Sequence, residues 1–87
     1  MQITSAAIPP EKYFYVCDGT VLKDLNELLQ ALLSMDEKVF RYHVNEEKND
    51  FYHWIKDVFG EHHLAYHIKA CRERELLARR IFRRMYS

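Results

Sequence analysis

Apolar residues fall in blocks along the chain, each with a helical period and each bounded by polar residues. Leu25, Leu28, Leu29, Leu32 and Leu33 recur at i, i+3, i+4, i+7 and i+8, the spacing of one face of an amphipathic helix. Asp24 stands just before this stripe with Glu27 three residues on, a capping-box-like pair that sets the start. The pattern stops near Ser34. Asp36 then caps a second block with Val39, Phe40, His43 and Val44 on one side, broken by the charged run Asn45-Glu46-Glu47-Lys48-Asn49. A third block places Phe51, Trp54, Ile55, Val58 and Phe59 on one face between Asp50 and Gly60. Asp50 is expected to accept hydrogen bonds from the free N–H groups of the first turn, and Gly60 to take the left-handed conformation that ends the helix. Packing rather than propensity holds a helix of about nine residues. Trp54, Phe51, Phe40 and the leucines are therefore assigned to the core.

The last block, His62 to Tyr86, contains no Gly or Pro and carries Leu64, Ile68, Cys71, Leu77, Ala78, Ile81, Phe82 and Met85, interrupted at Glu75. It predicts one long basic C-terminal helix over 62–86, about 37 Å in length. A compact domain of this size is about 30 Å across, so the helix is expected to outrun the body. Its last two turns would then hold Leu77, Ile81, Phe82 and Met85 in water beside Arg79, Arg80, Arg83 and Arg84, an exposure that small monomers rarely tolerate. A second copy of the chain is the expected cover. The alternative is that the tail folds back onto the Leu25 to Leu33 face.

Upstream of the helices the pattern changes. Residues 1–12 lack periodicity and include Pro9-Pro10, which reads as a flexible arm. Tyr13-Phe14-Tyr15-Val16, the turn pair Asp18-Gly19 and Thr20-Val21-Leu22 have the makings of a tiny hairpin. Two such strands alone are barely stable, so a short extended segment laid across the helices is the preferred reading. The whole chain then forms one all-α domain of four helices with an extended N-terminal arm and a long C-terminal helix.

The run HVNEEKNDFYHWIKDVFG, with the upstream YFYVCDGTVLKDLNELLQALLSM, resembles a family of small prokaryotic helical domains of unknown function. The resemblance spans roughly Tyr13 to Ile68. It implies a helical fold and carries no reaction, ligand or catalytic residue.

Composition narrows the class without naming a function. The 87 residues include twelve aromatics but only two Gly and two Pro, a globular composition that favours helices. The formal charge is zero, yet it is divided. Residues 1–65 hold six Lys/Arg against eleven Asp/Glu, a net of −5, and residues 66–87 hold seven against two, a net of +5. Cys17 and Cys71 are too few for a disulfide framework, and no signal-peptide pattern opens the chain, so a cytoplasmic setting is expected. No apolar run approaches the ~20 residues of a membrane-spanning helix.

Candidate chemistry is sparse. Asp18-Gly19-Thr20 echoes part of the haloacid dehalogenase nucleophile motif, but the nucleophile position is Val16, and the chain is too short for that fold. His63, His67 and Cys71 fall at i, i+4 and i+8, three metal-ligand types on one helical face; a fourth donor would have to come from His43 or Cys17. A buried Cys71 beside solvated histidines is the simpler reading. His43, Asp50, His53 and Asp57 could be assembled into an acid and base on paper, but no nucleophile elbow or phosphate loop accompanies them.

The expectation is therefore a non-enzymatic protein-interaction or assembly module with no catalytic residue, metal or cofactor. It would self-associate or dock another protein through Leu77, Ile81, Phe82 and Met85, rimmed by Arg79, Arg80, Arg83 and Arg84. The rival reading is a nucleic-acid-associated protein that binds phosphates with the same arginines. A membrane is not expected.

Overall fold

A computed structural model describes residues 8–86. Helices make up most of it: α1 (Leu25–Ser34), α2 (Glu37–His43), α3 (Asp50–Phe59), α4 (His62–Ile68) and α5 (Arg74–Tyr86), with a two-stranded antiparallel sheet of β1 (Phe14–Tyr15) and β2 (Val21–Leu22). Among the described residues, no helix is long and apolar enough to cross a membrane.

The helix starts follow local chemistry. Asp24 Oδ1 accepts the Glu27 N–H at 2.8 Å, and Glu27 Oε1 reaches back to the Lys23 N–H at 2.9 Å. Asp36 Oδ1 accepts the Lys38 N–H at 2.8 Å. At α3 the capping residue is Asn49, not Asp50: its side chain accepts the Tyr52 N–H at 3.0 Å, and Asp50 is already helical. Gly60 ends α3 at φ 65°, turning its N–H and that of Glu61 back toward Ile55 and Lys56. With φ positive there, replacement by any L side chain is strained.

The N-terminal segment is more ordered than expected. Met1 to Ala7, most of the expected arm, lie outside the described residues. Pro10–Lys12 form a 3-10 turn, and Trp54 Nε1 donates to the Lys12 carbonyl at 2.8 Å. The hairpin forms with Phe14 opposite Leu22 and Tyr15 opposite Val21. It does not stand alone: Phe14 packs its ring 4.9 Å from Phe51, 5.5 Å from Trp54 and 5.0 Å from His43, and Val16 and Leu22 are buried. Docking on the helices supplies the stability that two strands lack. In the turn, Asp18 Oδ1 accepts the Thr20 N–H at 2.9 Å, and this bond holds the Asp18 carboxyl below its ordinary range. The contribution is complete above that range and is lost as the pH falls through the lowered value.

The expected single helix over 62–86 is instead two helices. The chain turns between Lys69 and Glu73, so α5 is only 13 residues, about 20 Å, beside a body that extends 32 × 26 × 22 Å. The carbonyls freed at the end of α4 find remote partners. Asn49 Nδ2 donates to the Ile68 oxygen at 2.9 Å, and Arg80 donates to the His67 oxygen. Arg74 likewise donates to the Leu32 oxygen near the end of α1. α5 then lies back along α1, the most extensive helix pairing involving the tail. One core results, built from Leu25, Leu28, Leu29 and Leu32 of α1 with Phe40, Phe51, Ile55, Leu64, Ile68, Leu77 and Ile81, while Leu33, expected in the core with the other leucines, stays outside.

The break also settles the cysteines. Cys71 is buried in the turn with its thiol directed at the His67 oxygen, 3.7 Å away, and burial pushes that thiol up. Cys17 is exposed. Timed alkylation followed by mass spectrometry should label Cys17 faster than Cys71 by at least about tenfold; equal rates would mean that the 69–73 turn opens readily.

Candidate interaction surfaces

The residues expected to meet a partner divide into two sets. Leu77 and Ile81 are fully buried and Met85 is 5% exposed. That corrects the expectation that they project into water, because the turn at 69–73 returns α5 to the body and points this stripe at α1. Phe82 remains 53% exposed. Arg79, Arg80 and Arg83 are exposed, and Arg84 is half-buried.

Beside Phe82 the two antiparallel helices α1 and α5 leave a groove of about 360 Å³, floored by Leu29, Leu32 and Ala78. Leu33 stands on its wall at 61% exposure. Tyr86 extends the patch, its ring 5.0 Å from Phe82 and its hydroxyl donating to Asn26 Oδ1 at 3.3 Å. Glu75 and Arg79 edge the same groove. Neither Leu33 nor Tyr86 was singled out from sequence as a contact residue. Leu33 closes a leucine stripe wider than the face that α5 can cover, a signal that was present in the spacing.

A second groove, about 450 Å³, runs between α4 and α5 and is lined by Leu64, His67, Arg80, Arg83 and Arg84. Arg80, Arg83 and Arg84 fall at i, i+3 and i+4, so three guanidiniums share one helical face. Arg80 is held by the His67 carbonyl and Arg84 lies 4.0 Å from Glu61. Arg83 meets no carboxylate among the described residues. The Arg84 Nε is buried without a hydrogen-bond partner among the described residues.

A third hollow, about 340 Å³, opens where the loop between α2 and α3 meets the turn after α4. It gathers Lys48, Tyr52, Lys56, Lys69 and Arg72. Lys69 and Arg72 were expected only as part of a basic helix running from Lys69 to Arg84, and Lys48, Tyr52 and Lys56 were passed over, since the five come from three separate segments and only Tyr52 and Lys56 have a helical spacing.

The groups considered for chemistry do not converge. His43 and Asp50 do meet, His43 Nδ1 donating to Asp50 Oδ2 at 3.0 Å. The other ring nitrogen is occupied: Nε2 accepts the Cys17 N–H at 3.1 Å. With both ring nitrogens engaged, the buried imidazole fastens the hairpin to the α2–α3 junction. His53 and Asp57 stand apart, with Asp57 beside Lys56 at 3.8 Å. Cys71 lies off α4, so the stripe with His63 and His67 is broken; among the described residues, no group of three or more His, Cys, Asp and Glu side chains is placed to hold a metal ion.

These surfaces belong to a small helical domain with a docked two-stranded hairpin. No protein-family profile, curated protein or solved structure matches the chain.

Proposed function

We propose that the protein is a non-enzymatic assembly module that pairs with a second copy of itself across the α1–α5 groove. The observation that carries this reading is the exposed Phe82 and Leu33 beside a groove whose floor is already apolar. Protruding ring and apolar hollow occur on the same patch, so the surface is complementary to itself, as a two-fold contact requires. The rim agrees: Glu75 and Arg79 lie one helical turn apart, and a two-fold axis across the groove sets the acid of one copy toward the base of the other. The contact keeps Phe82 and Arg79 from the set expected on sequence and draws in Leu33 and Tyr86.

Light-scattering mass after size exclusion tests the reading. The native chain is expected to run as a dimer, and Phe82→Glu as a cooperatively folded monomer, since an exposed side chain contributes about 0.5 kcal/mol or less to the fold of one copy. A native monomer at high protein concentration, or a variant that stays dimeric, would overturn it.

The α4–α5 groove favours a second reading, nucleic-acid association. Three guanidiniums line it with no glutamate or aspartate among the lining residues, an arrangement suited to phosphates. Arg83 is the discriminating residue because it has no hydrogen-bond or ion-pair partner among the described residues. Arg83→Gln should reduce nucleic-acid binding and its salt dependence while leaving the mass unchanged, the converse of Phe82→Glu.

A further inference from the structure

The hollow between the α2–α3 loop and the turn after α4 differs in charge and construction from both grooves. Tyr52 stands at its centre. Lys56 from α3 and Lys69 from the turn both place their ammonium groups over the Tyr52 ring, 5.3 and 5.6 Å from its centre. Arg72 joins them from the same turn. Neither Lys69 nor Arg72 meets a carboxylate among the described residues, and the carboxylate beside Lys56 is the exposed Asp57. Attraction to the ring favours each ammonium singly but leaves the mutual repulsion of the cations in place. An anion between them would remove it.

The frame around these cations is fixed. Asn49 is buried and bonds both the Tyr52 N–H and the Ile68 oxygen, tying the loop to α3 and to the end of α4. Asn45 accepts the Glu47 N–H at 2.9 Å and donates to the Arg41 oxygen at 3.1 Å, while the Asn45 N–H meets the Lys48 oxygen at 2.9 Å. The loop is a closed turn, so the site's geometry is formed in advance of binding and little ordering remains for a ligand to impose.

Size and charge then select the ligand. A volume of about 340 Å³ falls in the range of small-molecule sites. Four cations line the hollow against two acids, Glu46 and Glu47, a formal surplus of two, although Lys48 is already shared with Asp50 at 3.0 Å. Both glutamates are exposed and form no ion pair among the described residues. They disfavour an extended polyanion crossing the hollow but leave room for a compact one. We infer that this hollow binds a small phosphate ester, with Lys56, Lys69 and Arg72 on the phosphate and Tyr52 beside the body of the molecule. The site is independent of self-association, since none of its residues lines the α1–α5 groove.

The test is a two-dimensional amide NMR titration of the full chain with adenosine monophosphate, inorganic phosphate and adenosine, repeated on the Phe82→Glu variant. That background makes the titration readable whether or not the chain dimerises. The monophosphate should shift amides in 45–56 and 69–72 with millimolar or tighter affinity, inorganic phosphate should shift the same amides more weakly, and adenosine should leave them unmoved. Lys69→Gln should weaken binding about tenfold, the loss expected for one charge-assisted contact. Glu46→Gln with Glu47→Gln should strengthen it. Both changes are on exposed side chains, so the melting temperature serves as the check on folding. No shifts at millimolar ligand, equal shifts from adenosine, shifts centred on Arg80 and Arg83, or an unchanged affinity in Lys69→Gln would each overturn the assignment.

Discussion

A chain ended at Ala78 is expected to be unfolded, not a folded monomer. The cut removes Ile81, fully buried, and Met85, 5% exposed. Each loss costs about 2–5 kcal/mol if the core does not collapse to fill the space. The total stability of a domain this size is about 4–13 kcal/mol at ~0.05–0.15 kcal/mol per residue, so the two losses together approach all of it. The truncation also removes Arg80 from the His67 oxygen and Tyr86 from Asn26, leaving the end of α4 and the outer side of α1 without those partners. Circular dichroism on heating should show a cooperative transition for the full chain and none for the truncated one. Ile81→Glu in the full chain should behave like the truncation, because it buries a charge with no partner. If the shortened chain melted cooperatively near the native temperature, α5 could not be part of the core. Had the tail projected, the same cut would have tested assembly alone; with the tail folded back it tests folding, and Phe82→Glu becomes the clean probe of assembly.

The contrast shows which parts of the fold can be read from sequence. Asp24, Asp36 and Gly60 are legible because each acts on backbone within a few residues, and Leu25 to Leu32 because a helical face follows from spacing. The break at 69–73 is not legible from local signals. It contains neither Gly nor Pro, and what stabilises it is Asn49, 19 residues before Ile68 in the chain, together with Arg80 from the helix beyond. The only local trace is Glu75, which a continuous helix would have set in the apolar stripe. Asp50 was a reasonable cap by residue type, but Asn49 takes that role, leaving Asp50 to receive His43 and Lys48. The hairpin was undervalued because its strands were weighed alone, whereas Phe14 packs against the core of the helices.

The same non-locality governs the surfaces. Arg79, Arg80 and Arg83 are outside, as the tail's composition implies, but which of them is free depends on the turn. Arg80 becomes a structural donor to His67, and among the described residues Arg83 has no such duty. Phe82 is exposed because a helix lying flat on α1 buries the side of α5 that carries Leu77, Ile81 and Met85, and Phe82 falls at the edge of that side. Exposure of the apolar stripe was the wrong premise; a narrower apolar patch beside an arginine rim is what the folded-back tail leaves.

Phe51→Ala is expected to cost about 3–5 kcal/mol, the range for removing a buried aromatic ring. Phe51 is fully buried in the first turn of α3, where three parts of the chain meet. Its ring lies 4.9 Å from Phe14 of the hairpin, 6.4 Å from Phe40 of α2 and 5.6 Å from His43. The cavity would therefore loosen the hairpin as well as the helix junction, and with it the Cys17 N–H bond to His43. Chemical denaturation should show a lower midpoint with an unchanged slope if the native state stays compact. A double-mutant cycle with Phe14→Leu separates ring contact from general destabilisation. Residues that touch couple by about 0.5–3 kcal/mol, and residues that do not touch add. Strict additivity would mean that the hairpin is an ornament on an independent helical core. A coupling in that range would mean that the hairpin, though only two residues on each strand, is one of the walls that hold α2 and α3, and with them the α2–α3 loop, in place.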